Sequence, residues 1–519
     1  MNDKLHDAMN EISDKHLLEA ETYCKRPFPY WIAAAAAMLA LVILLGAVFG
    51  GGSSDPMLDH SHPSSTCSCR PTPSWAPTLP TTLLQPTTTP QSPTYPTEPE
   101  SSSTPALWAA VPTYPTAVPY PRSEDYADYN AYRAAMDAWS TFQQKQYNQP
   151  DGYADSLTKF FASSMAQFLQ SDGNATYSPL NVYMAMAMLA ETTGGNSRQQ
   201  ILDLFGVDSI EALRTQASHV WNAHYSNDGK TTLTMANSLW LDQYFSFHQS
   251  AADNLAQYFY ASTFHGDLGT DAVNRQLQNW LNENTGGLLK EQAGNIELPE
   301  STIFALASTI YFSANWTDEF FASATYDDTF YTPLASVQAP FMHRTSRDVY
   351  YRGTHFGAIS LRLDGSNRMW LILPDEGYTP EDILQSDEYL HLTMDPGSWS
   401  NRKTYEVHLS LPKFDVVQQQ DLIQGMRKLG ITDIFNTATS DFSPLSSVGG
   451  LYVSMINHAA RVTIDETGCT AAAFTVIAGE SAGTPDQVET LYFNLNRPFL
   501  FIVSSRDNLP LFAGIVKQP

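Results

Sequence analysis

Residues 53–122 are crowded with Pro, Thr and Ser, as in PTPSWAPTLPTTLLQPTTTPQSPTYPTEPESSS. Such a segment buries too little apolar surface to offset the entropy of ordering it, so it stays extended. A packed domain must therefore lie to one side of it. Ahead of it stands FPYWIAAAAAMLALVILLGAVF (28–49), which carries no charge. About 20 apolar helical residues cross a hydrocarbon layer of roughly 30 Å. Lys25 and Arg26 precede the run, and Asp55 and Asp59 follow it. The positive-inside rule then puts residues 1–27 in the cytoplasm and the rest outside. The alternative is a cleaved signal peptide and a secreted chain. The expected layout is a cytoplasmic segment (1–27), a single-pass cell-membrane anchor (28–49), an extracellular linker (50–122), a helical extension (123–151) and a globular domain (152–519).

The chain carries 28 Lys and Arg against 54 Asp and Glu, a formal charge of −26 over 519 residues. A phosphate backbone needs a basic surface, so nucleic acid is not expected as a partner. Cys24, Cys67, Cys69 and Cys469 are too few for a disulfide framework. Cys67 and Cys69 lie in a Pro/Ser-rich stretch with no His-rich second half, so no zinc site is expected there, nor any other metal or cofactor. The chain reads as a monomer, with Cys67 or Cys69 able to join two copies in an oxidising compartment.

Residues 124–147 read as an amphipathic helix. Leu157, Phe160, Phe161, Met165, Phe168 and Leu169 recur at helical spacing and predict a second. Ser178-Pro179 reads as an N-cap and first-turn proline opening a buried helix, LNVYMAMAMLA. A helix over 272–285 stops at Gly286-Gly287. Strands are expected at 303–314, 369–373, 405–411, 451–465, 491–504 and 510–516. Early helices and later long strands predict an α+β domain with a large sheet.

Gly479-Glu480-Ser481-Ala482-Gly483 satisfies the G-x-S-x-G nucleophile elbow of esterases. That elbow needs a histidine after the serine, and none follows His458. Catalysis by Ser481 is therefore a remote reading, and the chain is not expected to be an enzyme. The segment GCTAAAFTVIAGESAGTP (468–485) instead has the pattern of a strand lying outside its sheet. It has no charge from Cys469 to Gly479. Alternation puts Cys469, Ala471, Ala473, Thr475 and Ile477 on one face, and Thr470, Ala472, Phe474, Val476 and Ala478 on the other.

Several motifs in order make the resemblance specific: TYSPLNVYMAMAML (176–189), LASTIYFSANW (306–316), LSLPKFDV (409–416), LGITDIF (429–435), INHAARVTIDETG (456–468) and FNLNRPFLFIV (493–503). Over roughly 150–519 the chain resembles the serpins, and the anchor and stalk make it look like a bacterial-type, membrane-anchored one. The resemblance implies the serpin fold: a large central β-sheet, helices packed around it and an exposed reactive-centre loop. It implies a hinge at Glu466, Gly468, Cys469, Ala471, Ala472, Ala473 and Thr475. It implies a hydrogen-bonded shutter of Ser178, Asn181, Ser308 and His458, and a tryptophan, Trp316, where the sheet first opens. Three residues depart from the pattern: Cys469 replaces a usual Thr or Ser, Phe474 a small residue, and Ser308 an Asn.

The activity implied is suicide inhibition of a serine protease. The protease cuts the loop and forms an acyl-enzyme, and the severed loop inserts into the sheet and carries the protease with it. About 17 residues at ~3.3 Å each give near 56 Å of added strand. The family places the cut sixteen residues after the hinge glutamate, here Ala482-Gly483, with Glu480, Ser481 and Thr484 as alternatives. A small residue there suits elastase-like proteases. The alternative is a non-inhibitory serpin-fold binding protein.

Overall fold

Residues 106–107, 110–115, 118–469 and 488–519 are described by the structure, a computed structural model. The 28–49 run, most of the Pro/Thr/Ser segment, Cys24, Cys67, Cys69 and residues 470–487 lie outside them. Among the described residues, no helix is long and apolar enough to cross a membrane.

A 3-10 turn at Ser123–Asp125 precedes α1 (Tyr129–Tyr147), so the helix expected at 124–147 starts later and is broken at its head. Asp128 caps it, its carboxylate accepting the N–H groups of Asn130 and Ala131. No residue of α1 is fully buried. Its C-terminal end is tied down by Gln146 Nε2, which donates to the Tyr225 carbonyl at 2.5 Å, and by Arg506, 3.8 Å above the Tyr147 ring. α2 (Thr158–Phe168) buries the apolar face its spacing predicted. α3 (Pro179–Thr192) is buried along nearly its whole length and packs beneath the sheets. Next come α4 (Gly195–Phe205), α5 (Ile210–His224), α6 (Gln249–Phe259) and α7 (Asp271–Asn284). α7 ends at Gly286 and Gly287, whose φ of 58° and 78° favour glycine.

One sheet runs in the order β1 (Ala106–Leu107), β5 (Ala261–Gly266), β4 (Thr231–Asp242), β6 (Phe304–Asn315), β14 (Gly468–Cys469), β13 (Asn457–Ile464) and β12 (Phe414–Asp421), with β3 (Ser226–Asn227) beside β4. The other runs β15 (Thr490–Asn494), β11 (Arg402–Pro412), β8 (Ser336–Arg352), β9 (Phe356–Arg362), β10 (Arg368–Pro374), β16 (Phe499–Ser504), β17 (Pro510–Val516) and β2 (Ala175–Tyr177), with β7 (Thr325–Tyr331) beside β8. Helices and two large sheets in one domain give the serpin fold that the resemblance implied.

Two expected strands are shorter than the sequence suggested. The 451–465 run is strand only from Asn457, because Leu451 and Val453 reach the core from irregular backbone, with the Val453 N–H bonded to the Ile434 carbonyl. The 491–504 run is two strands in two different pairings, parted at 495–498. Pro498 has no N–H to give a ladder, and the bond from the Leu495 N–H to the Ser410 carbonyl closes the ladder between β15 and β11. The first half also holds strands that the reading missed, β4 and β5 among them.

Candidate functional site

β6 and β13 lie on either side of β14, which is only two residues long. Gly468 faces Asn315 and Cys469 faces Ala314 on β6, while Cys469 faces Ile464 on β13. Below that rung the two long strands share no ladder among the described residues. A cleft runs there instead, walled by Ser308, Ile310 and Phe312 of β6 and by His458, Ala460 and Val462 of β13. Leu281 and Thr285 close its outer side, and Asn181 its floor. It holds about 70 Å³ of free space, well under the several hundred Å³ of a small-molecule pocket. Each wall is a strand edge, which offers unpaired backbone groups to an added strand.

The rung is fastened at its upper end. A turn at Asp465–Thr467 reverses the chain, with Asp465 Oδ1 accepting the N–H groups of Thr467 and Gly468 at 2.8 and 3.2 Å. Trp316, nearly fully buried, donates its indole N–H to the Asp465 carbonyl at 2.8 Å and its backbone N–H to the Thr467 carbonyl at 2.9 Å. Lys413 Nζ lies 2.7 Å from Glu466 Oε2. Burial alone would raise the Glu466 carboxyl, but bonds from Lys413, its own backbone N–H and Thr325 hold it below the usual carboxylate range. Lys413, Asp465 and Thr467 were not singled out in the sequence, although all three lie in the quoted motifs.

Gly468 is required by close approach rather than by φ. A Cβ there would sit 2.4 Å from the Ala314 carbonyl oxygen and 2.7 Å from the Asn315 Cα, both backbone atoms that cannot swing away. Gly468→Val should therefore pry β14 from β6 and lower native stability by about 1–3 kcal/mol, the usual range for overpacking. Thermal unfolding of the intact chain checks this; an unchanged midpoint would show that the rung tolerates a side chain. Cys469 is buried on the core face of the rung.

Two hydrogen-bonded pairs lie at the cleft's lower end. The Ser178 N–H donates to His458 Nε2 at 3.1 Å, and its hydroxyl donates to the Leu511 carbonyl at 2.6 Å. Ser178 occupies the N-cap position of α3, but its hydroxyl does not cap the helix, contrary to the sequence reading. The distant Leu511 carbonyl holds it instead. Asn181 and Ser308 form the second pair: Ser308 Oγ donates to Asn181 Oδ1 at 2.7 Å, and Asn181 Nδ2 donates to the Ser308 carbonyl at 3.2 Å. His458 packs edge-on against Tyr177, with ring centroids 5.2 Å apart. Burial lowers the His458 pKa to about 4, so the ring is neutral at pH 7 and its Nε2 lone pair is free to accept.

Thus Glu466, Gly468, Cys469 and Trp316 gather at the head of the cleft, and Ser178, Asn181, Ser308 and His458 at its foot. Ala471, Ala472, Ala473, Phe474 and Thr475, and the 480–484 region with Glu480, Ser481, Ala482, Gly483 and Thr484, lie outside the described residues.

Residues 155–519 match the family described as Serpin (serine protease inhibitor). Corticosteroid-binding globulin of Oryctolagus cuniculus is 29% identical over 369 residues, spanning 68% of this chain and 92% of that protein. Alpha-1-antiproteinase 2 of Equus caballus is 27% identical over 376 residues, spanning 69% and 85%. The native state of the thermophilic serpin tengpin is similar at a TM-score of 0.64 and 24% identity, over 72% of this chain and 95% of that one, a likeness of fold alone. These relatives do not mark the chain as bacterial-type and do not bear on an anchor. With its family match covering the cleft, the rung and every strand of both sheets except β1, the chain belongs to the serpin family.

Proposed function

We propose that the chain inhibits serine proteases by inserting its cleaved loop into the cleft between β6 and β13. The observation that carries this is the two-residue rung, because the chain runs from it directly into the Ala-rich segment. Extended along β6, it would bring Ala471 opposite Phe312, Ala473 opposite Ile310 and Thr475 opposite Ser308. Extended along β13, it would bring the same three residues opposite Val462, Ala460 and His458. Opposed residues of an antiparallel pair share a face. Phe312, Ile310, Val462, Ala460 and His458 are all buried, so Ala471, Ala473 and Thr475 would enter the core. Phe474 would take the outer face, where Leu281 and Thr285 must yield to it.

β6 begins at Phe304, which the same register sets opposite Gly479. The β6 edge is therefore long enough to pair residues up to 479, and β13, which begins at Asn457, residues up to 476, once the two strands part to admit them; a cut anywhere from 480 to 484 would free enough chain. Ala482-Gly483 is the proposed bond, with Glu480, Ser481 and Thr484 as alternatives, and elastase-like enzymes are the proposed targets. Pro485 bounds the region because proline cannot donate to a central strand. We further propose that residues 28–49 anchor the chain in a membrane, with this domain outside.

A second reading rests on the corticosteroid-binding relative: the domain would carry a small apolar ligand without inhibiting any protease. One experiment separates them. The chain is incubated with serine proteases that prefer small or acidic residues. The expected result is an SDS-resistant adduct, a cut mapped by mass spectrometry to 480–484, and a cleaved product that melts far above the native chain. Cleavage with neither adduct nor gain in heat resistance would leave the ligand carrier as the better reading.

A further inference from the structure

A second cleft lies between α1 and the head of the sheet that contains β6, and shares no lining residue with the first. It encloses about 740 Å³, within the range of sites that take a small molecule. Trp139 and Tyr147 of α1 form one wall, and Lys230, Thr231, Arg368 and Arg506 stand on the facing side. On a chain with nearly twice as many acidic as basic residues, this cleft inverts the balance. Lys230, Arg362, Arg368 and Arg506 line it against only Asp228 and Asp364.

Both carboxylates are already engaged. Asp228 Oδ1 accepts the backbone N–H groups of Lys230 and Thr231 at 3.0 and 2.9 Å, and Asp364 lies 3.2 Å from Lys230 Nζ. Arg362 is paired with Asp318 at 2.8 Å. Arg368 and Arg506 have no carboxylate partner among the described residues. Arg368 reaches only the Ser360 hydroxyl, at 3.5 Å, and Arg506 lies over the Tyr147 ring. Two buried polar atoms of the lining, Trp139 Nε1 and Thr231 Oγ1, have no hydrogen-bond partner among the described residues. An indole N–H only donates and a guanidinium only donates, so the cleft offers donors and positive charge in surplus. Buried polar groups left in that condition point to a missing partner.

We propose that this cleft binds a small polyanion of the carboxylate or phosphate type, held by Arg368 and Arg506, with Trp139 Nε1–H as a further donor and Lys230, paired with Asp364, at its edge. Guanidinium forks match both oxyanion geometries. Because α1 supplies one wall, the bound anion ties the N-terminal extension to the domain. Thr317 and Leu363 also line the cleft, and Leu363 bridges to Trp316, the residue that holds the loop rung. The ligand thereby stabilises the native form next to the point where the sheet must open. The proposal does not depend on the chain being an inhibitor.

The test uses the intact chain. Sodium pyrophosphate and sodium citrate are titrated separately by calorimetry and by thermal unfolding, against sodium chloride at matched ionic strength. The expected result is saturable binding of at least one, with a rise in melting temperature that sodium chloride does not give. Pyrophosphate alone would assign the phosphate class, and citrate alone the carboxylate class. Arg368→Gln breaks no ion pair, and should bind at least about tenfold more weakly, the loss of one charge-assisted contact. Arg506→Gln, checked for an unchanged unliganded spectrum, should do the same. No saturable binding of either anion, or equal binding by both variants, overturns the proposal.

Discussion

Ala473→Arg should convert the proposed inhibitor into a substrate. The protease should cut the loop at the usual bond and leave, with no SDS-resistant adduct. On the proposed insertion, continuing the register of Gly468 and Cys469 would set residue 473 on the core face between Ile310 and Ala460, both buried. A guanidinium there would have to leave water with no carboxylate to meet it. An uncompensated buried charge costs several kcal/mol, and each 1.4 kcal/mol is tenfold. Insertion must outrun hydrolysis of the acyl-enzyme, so a slowing of about 100-fold or more decides the contest for hydrolysis. Ala472→Glu is the control. The same register would set residue 472 on the outer face, opposite Tyr311 and beside the Arg461–Asp415 pair, where a carboxylate stays out of the core. That variant should retain most of the adduct. Position 469 is a poorer test, because Cys469 is already buried in the native rung and an arginine there disturbs the starting state as well. If both variants at 472 and 473 trapped the protease equally, the alternation that defines the inserted strand would be wrong.

The alternation that separates those two positions is read from the sequence alone, from the side-chain period that a strand's backbone fixes, and both lie outside the described residues. Legible in the sequence and found in the structure are α2, whose apolar stripe predicted its buried face, and β17, at the expected residues. Tertiary partners were not legible. Ser178 could be read as an N-cap from its place before Pro179, yet its hydroxyl belongs to Leu511, 333 residues away. The Lys413–Glu466 pair joins two quoted motifs 53 residues apart that gave no sign of meeting. Gly468 was picked by resemblance, whereas its physical reason is the Ala314 carbonyl, visible only once β6 and β14 are side by side. β4, TTLTMANSLWLD, was missed because its polar residues sit at buried positions, Asn237 and Ser238 among them. Asn237 is held there by the Phe259 carbonyl at 2.7 Å, a bond that no local pattern announces.

Acid should loosen the foot of the cleft, and His458 should account for a separable part of the effect. Its ring titrates near 6.5 in the unfolded chain but at about 4 in the folded one. Burial is the cause, with no neighbouring charge contributing. Between those values the unfolded state binds more protons, so native stability rises with pH across this window. The contribution is complete above about pH 6.5 and is lost as pH falls towards 4. At 1.36 kcal/mol per unit it is on the order of 3 kcal/mol. Protonation would also put a hydrogen on Nε2, the atom that accepts the Ser178 N–H, so the bond that joins α3 to β13 breaks when the ring charges. Carboxylates such as Glu466, held low by Lys413, lose stability on acidification too, but chiefly below the ordinary carboxylate range. His458→Gln isolates the histidine, since an amide oxygen accepts the same N–H without titrating. Urea unfolding of both chains at pH 7.5, 5.5 and 4.5 gives the comparison, with the difference between them growing as pH falls. If the intact chain inserts its own uncut loop more readily in acid, that conversion should follow the same window and be blunted in His458→Gln. Parallel pH profiles for the two proteins would mean that the folded chain does not hold the His458 pKa below its unfolded value, and the account given for the foot of the cleft would fall.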